Sequence, residues 1–446
     1  MVLMVWPNIK RREPPELLFW NEGKCRVPRR GIEEYGPYDG PVTINLYVLG
    51  FKGTESHIKG LINNLNQYFG NVPIEIVINA VDEKFLPRDY IRRSNLQRYR
   101  REVIKIVDGW RKETRDHKVL LQVIPRRDDV PDGYYYFVRK VALSKKDGVK
   151  ALPVQTITME TLRRAGGFRR HRARKGIIHN LAIALYAKVG YRPWILAGTV
   201  SEHFTDAIYV GYDISYHREY GSKGMGGVVV FDSRGQVIEY FDVEIQVEEG
   251  DKIDRSSFNE FVERIIMSAE SRDIRPSVVV FHRDGDYKPH EIELVRECME
   301  RWKMNYILLE FSKVNAPIFK YNREKNEWIS AESGYWLKMG YEFSRGQKYP
   351  TYLLQSYGGE IPLGVYANML KFRYVDRRVM RRVPNLEEDI VRQVFYLTRL
   401  NYATKIGVAK LPITVHYAHK VANIKRVGII LGEFEAGKVN KPLWML

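Results

Sequence analysis

Two aspartates carry the first chemical signal. Asp213 closes the run AIYVGYD, and Asp284 closes SVVVFHRD, so each ends an apolar stretch that reads as a buried strand. Ends of buried strands are where open α/β sheets present reactive groups. Two carboxylates brought together there would bind divalent metal through hard oxygen ligands. A pair of such ions activates water and stabilises the leaving oxygen in phosphodiester hydrolysis. A single strand-end aspartate serves as readily to cap the following turn or helix. A third group lies near the other end of the chain. LPITVHYAHKVANI, residues 411–424, is an apolar run that turns into a helix carrying His416 and His419. Neutral imidazole ligates metals, although a lone histidine is more often a hydrogen-bonded structural residue.

The elements that position these groups follow from periodicity. After the strand that closes on Asp213, GGVVVFDSRGQVIEYFDVEI, residues 226–245, reads as a hairpin turning at Asp232–Gly235. A helix follows, with Phe258, Val262, Ile265, Ile266 and Ala269 at helical spacing. The strand 277–281 runs into Asp284, an amphipathic helix covers 291–302, and a further strand covers 306–311. Upstream, VTINLYVLG (42–50), IEIVINAV (74–81) and VLLQVIP (119–125) read as strands, with helical patterns between them and one around 57–69. Strands alternating with helices predict a parallel sheet with helices on its faces. The fold class expected is therefore α/β throughout. Residues 1–40, rich in Pro, Gly and Arg, read as an extended arm.

Composition narrows the function. The chain has 446 residues, enough for two to three domains at about 100–200 residues each. It carries 72 Lys and Arg against 54 Asp and Glu, a net charge of +18. That excess favours a polyanionic partner, nucleic acid or a membrane surface, over the plainer reading of a charge-rich thermophile surface. The basic residues cluster: Arg163, Arg164, Arg169, Arg170, Arg172, Arg174 and Lys175; Arg377, Arg378, Arg381 and Arg382; Arg92, Arg93, Arg98, Arg100 and Arg101. Such clusters gain from counterion release at a phosphate backbone. No stretch approaches the ~20 apolar residues of a membrane span. The first residues lack the basic, apolar, small-residue order of a secretory signal. Cys25 and Cys298 form no CxxC pattern, which excludes a disulfide framework and a cysteine zinc site. A cytoplasmic setting is expected.

The order strand, hairpin, helix, strand, with an aspartate closing the first strand, resembles the RNase H-type fold. GYDIS (211–215), FHRDGD (281–286) and VHYAHKVA (415–422) resemble, in order, three motifs of the PIWI domain of Argonautes. The separation of the two aspartates, 71 residues (284 − 213), is similar to the family's. NLEEDIVRQVFYLTRLNYATK (385–405) resembles the segment before the last motif. Upstream, YYYFVRKVAL (134–143), LPVQTI (152–157) and NLAIALYAKVGYRPWIL (180–196) resemble the MID domain. The resemblance covers roughly residues 40–446 and is to short prokaryotic Argonautes, archaeal in type, that lack the N and PAZ domains. It implies an N-terminal arm over 1–40, a Rossmann-like MID domain with a parallel sheet over 41–205, and an RNase H-like PIWI domain over 206–446.

The resemblance also implies site residues. Active Argonautes use a tetrad of Asp, Glu, Asp and a final His or Asp. Asp213, Asp284 and His419 fall on three of those positions and would hold Mg²⁺ or Mn²⁺. The Glu comes from the loop VEEGDKIDRSS, residues 247–257, where Glu249 is the first choice, Glu248 is the alternative and Asp254 would be a departure. In the MID domain Tyr136 and Lys140, spaced i, i+4, share a helix face. Tyr136 would stack on the first base of a guide and Lys140 would meet its 5′ phosphate, with Gln155 and Lys188 at the other matching positions. Ala184 replaces a second lysine seen in many relatives, and Arg139 stands nearby. Leu446 would offer its α-carboxylate to a metal at that phosphate. The expected partners are a guide RNA or DNA with a 5′ phosphate, a complementary target strand, and a separate partner or effector protein. The expected role is guide-directed recognition in prokaryotic defence, and the alternative is a metal-dependent endonuclease that cuts the target. Two guide-free readings stand beside these: an RNase H-like nuclease or recombinase, and a general basic nucleic-acid binder.

Overall fold

The computed structural model describes residues 9–125, 133–167, 174–216, 223–248, 252–253, 255–314, 319–322, 327–330, 333–344, 347–356, 369–378, 383–402, 411–426 and 429. The chain divides into two compact units, one built mainly on Leu17–Ile195, the other mainly on Leu196–Asn401 with the helix that ends at Arg426.

The first unit centres on four parallel strands: β1 (Val42–Phe51), β2 (Ile76–Leu86), β3 (Lys118–Ile124) and β4 (Val154–Thr158), in the order β2-β1-β3-β4. The two inner strands are apolar on both faces, as a sheet covered on both sides requires. Among the described residues, six helices accompany them: α1 (Pro28–Tyr35), α2 (Glu55–Gly70), α3 (Leu96–Lys112), α4 (Gly133–Leu143), α5 (Met159–Gly166) and α6 (Arg174–Lys188). Tyr47, Leu49 and Phe51 alternate along β1 and pack with Val103, Val107 and Trp110 of α3 and Val138 and Ala142 of α4. This is the doubly wound, Rossmann-like arrangement that the alternation of strands and helices predicts. The stretch read as an extended arm carries α1 and short strands at Leu17–Leu18 and Lys24–Cys25. Phe19 and Ile32 bury completely, and Asp39 accepts the guanidinium of Arg192 at 2.7 Å in a buried ion pair.

Among the described residues, the second unit holds a ten-stranded mixed sheet. Its main strands are β5 (Ile208–Tyr216), β6 (Lys223–Phe231), β7 (Val237–Glu248), β8 (Val278–Asp284), β9 (Asn305–Val314), β10 (Tyr335–Ser344), β11 (Gln347–Gln355) and β12 (Met369–Arg378). They lie in the order β10-β11-β12-β9-β8-β5-β6-β7, with Lys10–Arg11 beyond β10 and Lys252–Ile253 beyond β7. The expected hairpin is β6–β7. Asp232 accepts the amides of Arg234 at 2.9 Å and Gln236 at 2.8 Å, which closes its turn. Helices α7 (Arg255–Glu270) and α8 (Pro289–Arg301) cover one face, burying Phe258, Phe261, Val262, Ile265, Leu294 and Val295 against Val210, Tyr212, Val228, Val230, Val279 and Phe281. Helix α9 (Leu386–Leu397) precedes α10 (Ile413–Arg426), and α10 lies on the opposite face, over β5 and β6. This is the mixed sheet of an RNase H-like fold.

One detail departs from the sequence reading. Asp213 does not end its strand, because β5 runs on to Tyr216. The parallel pairing with β8 stops at Tyr212, while the antiparallel pairing with β6 carries β5 through Ile214, Ser215 and Tyr216.

Candidate active site

The register of three strands places the acidic pair. Arg283 on β8 stands opposite Tyr212 on β5, the last pair of that parallel register, and Asp284 and Asp213 are the next residues on their strands. Alternation then sorts the faces. Tyr212 belongs to the core under α7, whereas Gly211, Asp213, His282 and Asp284 point to the side on which α10 lies. Gly227 of β6 is directly opposite Asp213.

Two glycines let α10 approach this face with its backbone. A Cβ on Gly211 would lie 2.1 Å from the carbonyl oxygen of Thr414, and one on Gly227 would lie 2.3 Å from the carbonyl of Ala418 and the amide of Ala422. A glycine inside a strand often marks such a close backbone approach. The helix is pinned a second time where Thr414 Oγ1 and His282 Nδ1 meet at 2.8 Å. Burial holds the His282 imidazole neutral, with its pKa pushed down to about 3.

The consequence is the position of His419. Its Nδ1 lies 2.7 Å from Oδ2 of Asp213, and the histidine side chain is 55% exposed while the aspartate is 16% exposed. One edge of the imidazole is thus fixed by a carboxylate and the ring opens to solvent. His416, one turn earlier, is half-buried beside Tyr417. Of the four residues expected to act together, the structure brings Asp213, Asp284 and His419 to one face of one sheet. The fourth, Glu249, lies outside the described residues, as does Asp254. Glu248 is the last residue of β7.

Two carboxylates and an imidazole on one face of a sheet offer an oxygen-rich donor set of the kind that Mg²⁺ or Mn²⁺ takes. Asp213 and Asp284 would supply the oxygens and His419 the nitrogen. Among the described residues no three His, Cys, Asp or Glu side chains are already gathered at metal-binding distance. The set fits such an ion in chemistry, with the imidazole hydrogen-bonded to Asp213.

In the first unit Tyr136 and Lys140 share a face of α4, Tyr136 half-buried and Lys140 exposed. Tyr136 packs edge-on against Tyr135 at 4.9 Å, and the guanidinium of Arg139 lies 4.7 Å from the Tyr135 ring centre. The chain returns from α4 to the sheet through the amide of Leu152, which donates to the carbonyl of Ala142 at 2.9 Å. Gln155 enters β4 opposite Leu121, with its Oε1 buried. Lys188 is fully buried at the end of α6, and Ala184 is buried one turn before it. Leu446 lies outside the described residues.

The basic clusters divide. Arg98 and Arg101 are exposed on α3, while Arg100 is half-buried with its guanidinium 5.4 Å from the ring centre of Phe137. Arg174 donates to the carbonyl of Gly167, just past the end of α5, and so serves local structure. Arg169, Arg170, Arg172, Arg381 and Arg382 lie outside the described residues.

Sequence reasoning missed Gly211, Gly227, Thr414 and the buried charges behind Asp284. The signal for the glycines was present, since both interrupt otherwise apolar strands. No helix among the described residues is long and apolar enough to cross a membrane.

Comparison with known proteins agrees with this architecture. The Piwi domain family model matches residues 99–356, which is 258 of 446 residues (356 − 99 + 1). The Argonaute of Pyrococcus furiosus is 25% identical over 276 residues, covering 61% of this chain and 32% of that protein. The Argonaute of Aquifex aeolicus is 26% identical over 317 residues, covering 70% of this chain and 38% of that protein. The matched segments thus cover about a third of the length of each relative. Among solved structures, Clostridium butyricum Argonaute bound to a guide DNA and a 19-mer target DNA superposes with a TM-score of 0.72 at 17% identity, over 97% of this chain and 54% of that one. Aquifex aeolicus Argonaute with externally bound siRNA gives a TM-score of 0.67 at 18% identity, over 98% of this chain and 56% of that one. The chain belongs to the Piwi-domain family of Argonaute proteins.

Proposed function

We propose that the protein recognises a nucleic-acid strand through a guide. The first unit would be the MID-type anchor for the guide's 5′ phosphate, and the second the PIWI-type unit that receives the paired target. Three things support this reading: the family, the net charge of +18, and the Tyr136–Lys140 pair on one helix face. In such a scheme the protein holds the backbone while base pairing reads sequence. Tyr136 would stack on the first base and Lys140 would meet the phosphate, with Gln155 and Lys188 behind them. A separate partner or effector protein would turn recognition into defence.

The Asp213–Asp284–His419 arrangement favours a second reading, in which the target strand is also cut. Asp213 and Asp284 each follow the last residues paired between β5 and β8, and α10 hydrogen-bonds its imidazole to Asp213. Mg²⁺ or Mn²⁺, when bound, would supply the charge that stabilises the leaving oxygen of a phosphodiester. Asp213, Asp284 and His419 would hold it, and Glu249 would complete the donor set.

The test is a mixture of the protein, 5′-phosphorylated RNA or DNA guide, labelled complementary target and Mn²⁺, scored for binding and for cutting. Guide-dependent target retention is expected, and its absence with either guide refutes the recognition reading. A single cut at a fixed distance from the guide's 5′ end, lost in Asp284→Ala with guide binding intact, supports the second reading. Retention without any cut leaves only recognition.

A further inference from the structure

The face of the sheet opposite the acidic pair carries a row of buried charges. Tyr212, Arg283, Glu310 and Arg373 stand opposite one another across β5, β8, β9 and β12. Arg283, one residue before Asp284, is buried. It pairs with Glu291 of α8, and its guanidinium lies 5.8 Å and 5.6 Å from the ring centres of Tyr212 and Tyr287. Glu291 is fully buried and its other task is to accept the amide of Lys288 at 2.7 Å. Glu310 is 4% exposed. It accepts the amide of Tyr287 at 2.5 Å and the guanidinium of Arg373 at 2.8 Å. Arg373 also reaches the exposed carboxylate of Asp286.

These contacts converge on one short turn. The amide of Gly285 donates to the carbonyl of Phe311 at 2.9 Å. The amides of Tyr287 and Lys288 donate to Glu310 and Glu291, and the side chain of Asp286 is held by Arg373. The residue before Asp284 and the three amides at 285, 287 and 288 are therefore tied to acceptors or partners on neighbouring elements. That matters because Asp284 and Asp213 follow directly on the last residues paired between adjacent strands. Like charges on adjacent strands repel, and a loose turn would relieve the repulsion by carrying Asp284 away.

We propose that Glu310, held by Arg373, is a positioning residue for Asp284: it fixes the turn 285–288 from behind the sheet and so holds Asp284 where it would share a divalent cation with Asp213. This rests on the metal reading given above. Removing groups that orient metal ligands typically costs 10–100-fold in metal affinity.

The test is Mn²⁺ binding to the full chain, followed by electron paramagnetic resonance, for the parent, Asp284→Ala, Glu310→Gln, Asp286→Ala, Arg373→Met and Arg373→Lys. Binding of a 5′-phosphorylated guide is measured alongside to report the rest of the molecule. Expected are loss of Mn²⁺ binding in Asp284→Ala and about 10–100-fold weakening in Glu310→Gln and Arg373→Met. Arg373→Lys, which keeps a cation near Glu310, should weaken binding less than Arg373→Met. Guide affinity should stay at the parental value. Asp286→Ala alters an exposed side chain and decides the matter if Glu310→Gln fails to fold; it too should weaken Mn²⁺. Parental Mn²⁺ affinity in Glu310→Gln and Asp286→Ala, with Asp284→Ala defective, overturns the positioning role and leaves the metal reading standing. A parent that binds no Mn²⁺ overturns the metal reading and this role with it.

Discussion

Gly211→Ala tests most directly how α10 is held on the sheet. Ordinary van der Waals contact for a Cβ begins near 3.4 Å, and the new methyl would lie 2.1 Å from the Thr414 carbonyl oxygen, a deficit of about 1.3 Å (3.4 − 2.1). Both sides of that contact are backbone, one in a central strand and one in α10, so neither can turn aside. The helix must retreat by roughly that amount. His419 is on the same helix, and a retreat of about 1.3 Å opens its 2.7 Å bond to Asp213 to about 4.0 Å (2.7 + 1.3), beyond hydrogen-bond reach. The bond between Thr414 and His282 opens with it. Overpacking of this kind costs about 1–3 kcal/mol. For a unit of this size that is a fall in Tm of roughly 2–10 °C. Differential scanning fluorimetry measures the fall, and the ¹⁵N shift of His419 Nδ1 reports its hydrogen bond. Gly198→Ala, where nothing lies within 4 Å of the added methyl, is the control and should change neither. If Gly211→Ala keeps the parental Tm and the parental His419 signal, α10 is not laid on the sheet through that glycine, and the glycine does not set the position of His419.

Other expectations follow from the same structure. Lys140→Ala should reduce the preference for a 5′-phosphorylated guide over a 5′-hydroxyl guide by about 10–100-fold, since a charged hydrogen bond contributes about 1.5–3 kcal/mol; filter binding with both guides checks it, and an unchanged ratio removes the MID reading. Phe261→Ala should cost about 3–5 kcal/mol, because the ring is buried among Phe258, Tyr212 and Phe241; a urea titration measures it. Asp389 is buried under Ser201, the amide of Glu202 and Gln393, and burial raises its pKa against the lowering effect of the Ser201 and Gln393 hydrogen bonds. Its folded form therefore holds a proton to higher pH than its unfolded form, so its contribution is complete below the ordinary aspartate range and is lost as pH rises through the raised value. Asp389→Asn should remove that decline, seen as a flatter dependence of the urea midpoint on pH across the acid limb.

Much of the site can be read from residue order because its acids sit on apolar strands, whose hydrophobic runs are the strongest local signal a sequence carries. Those runs place Asp213 and Asp284, and Asp232 and Gly235 place the hairpin. The strand end at Asp213 is misread because a strand's length depends on both neighbours, and β6 pairs further along β5 than β8 does. Periodicity sees one chain and not its partners. The row of Arg283, Glu310 and Arg373 is invisible for a related reason. In the sequence each is one charged residue in a strand, and only register across three strands makes them neighbours. Lys188 shows the opposite limit: its position in a motif suggests a phosphate contact, while burial at the end of α6 is a tertiary property. Phe19, Ile32 and Asp39 likewise bind the first forty residues into the fold through contacts that their Pro- and Gly-rich setting does not announce.

The bond between His419 and Asp213 also sets a schedule for biosynthesis. The two residues are separated by 206 positions, which at about 5–20 residues per second is roughly 10–40 s of translation. Once β8 is made, His419 is still 135 positions away (419 − 284), so the nascent chain can pair β5 with β6 and β8 while the imidazole that bonds Asp213 does not yet exist. Chemistry that needs all three groups is thereby withheld from a half-made protein, which emerges beside the ribosome's own RNA.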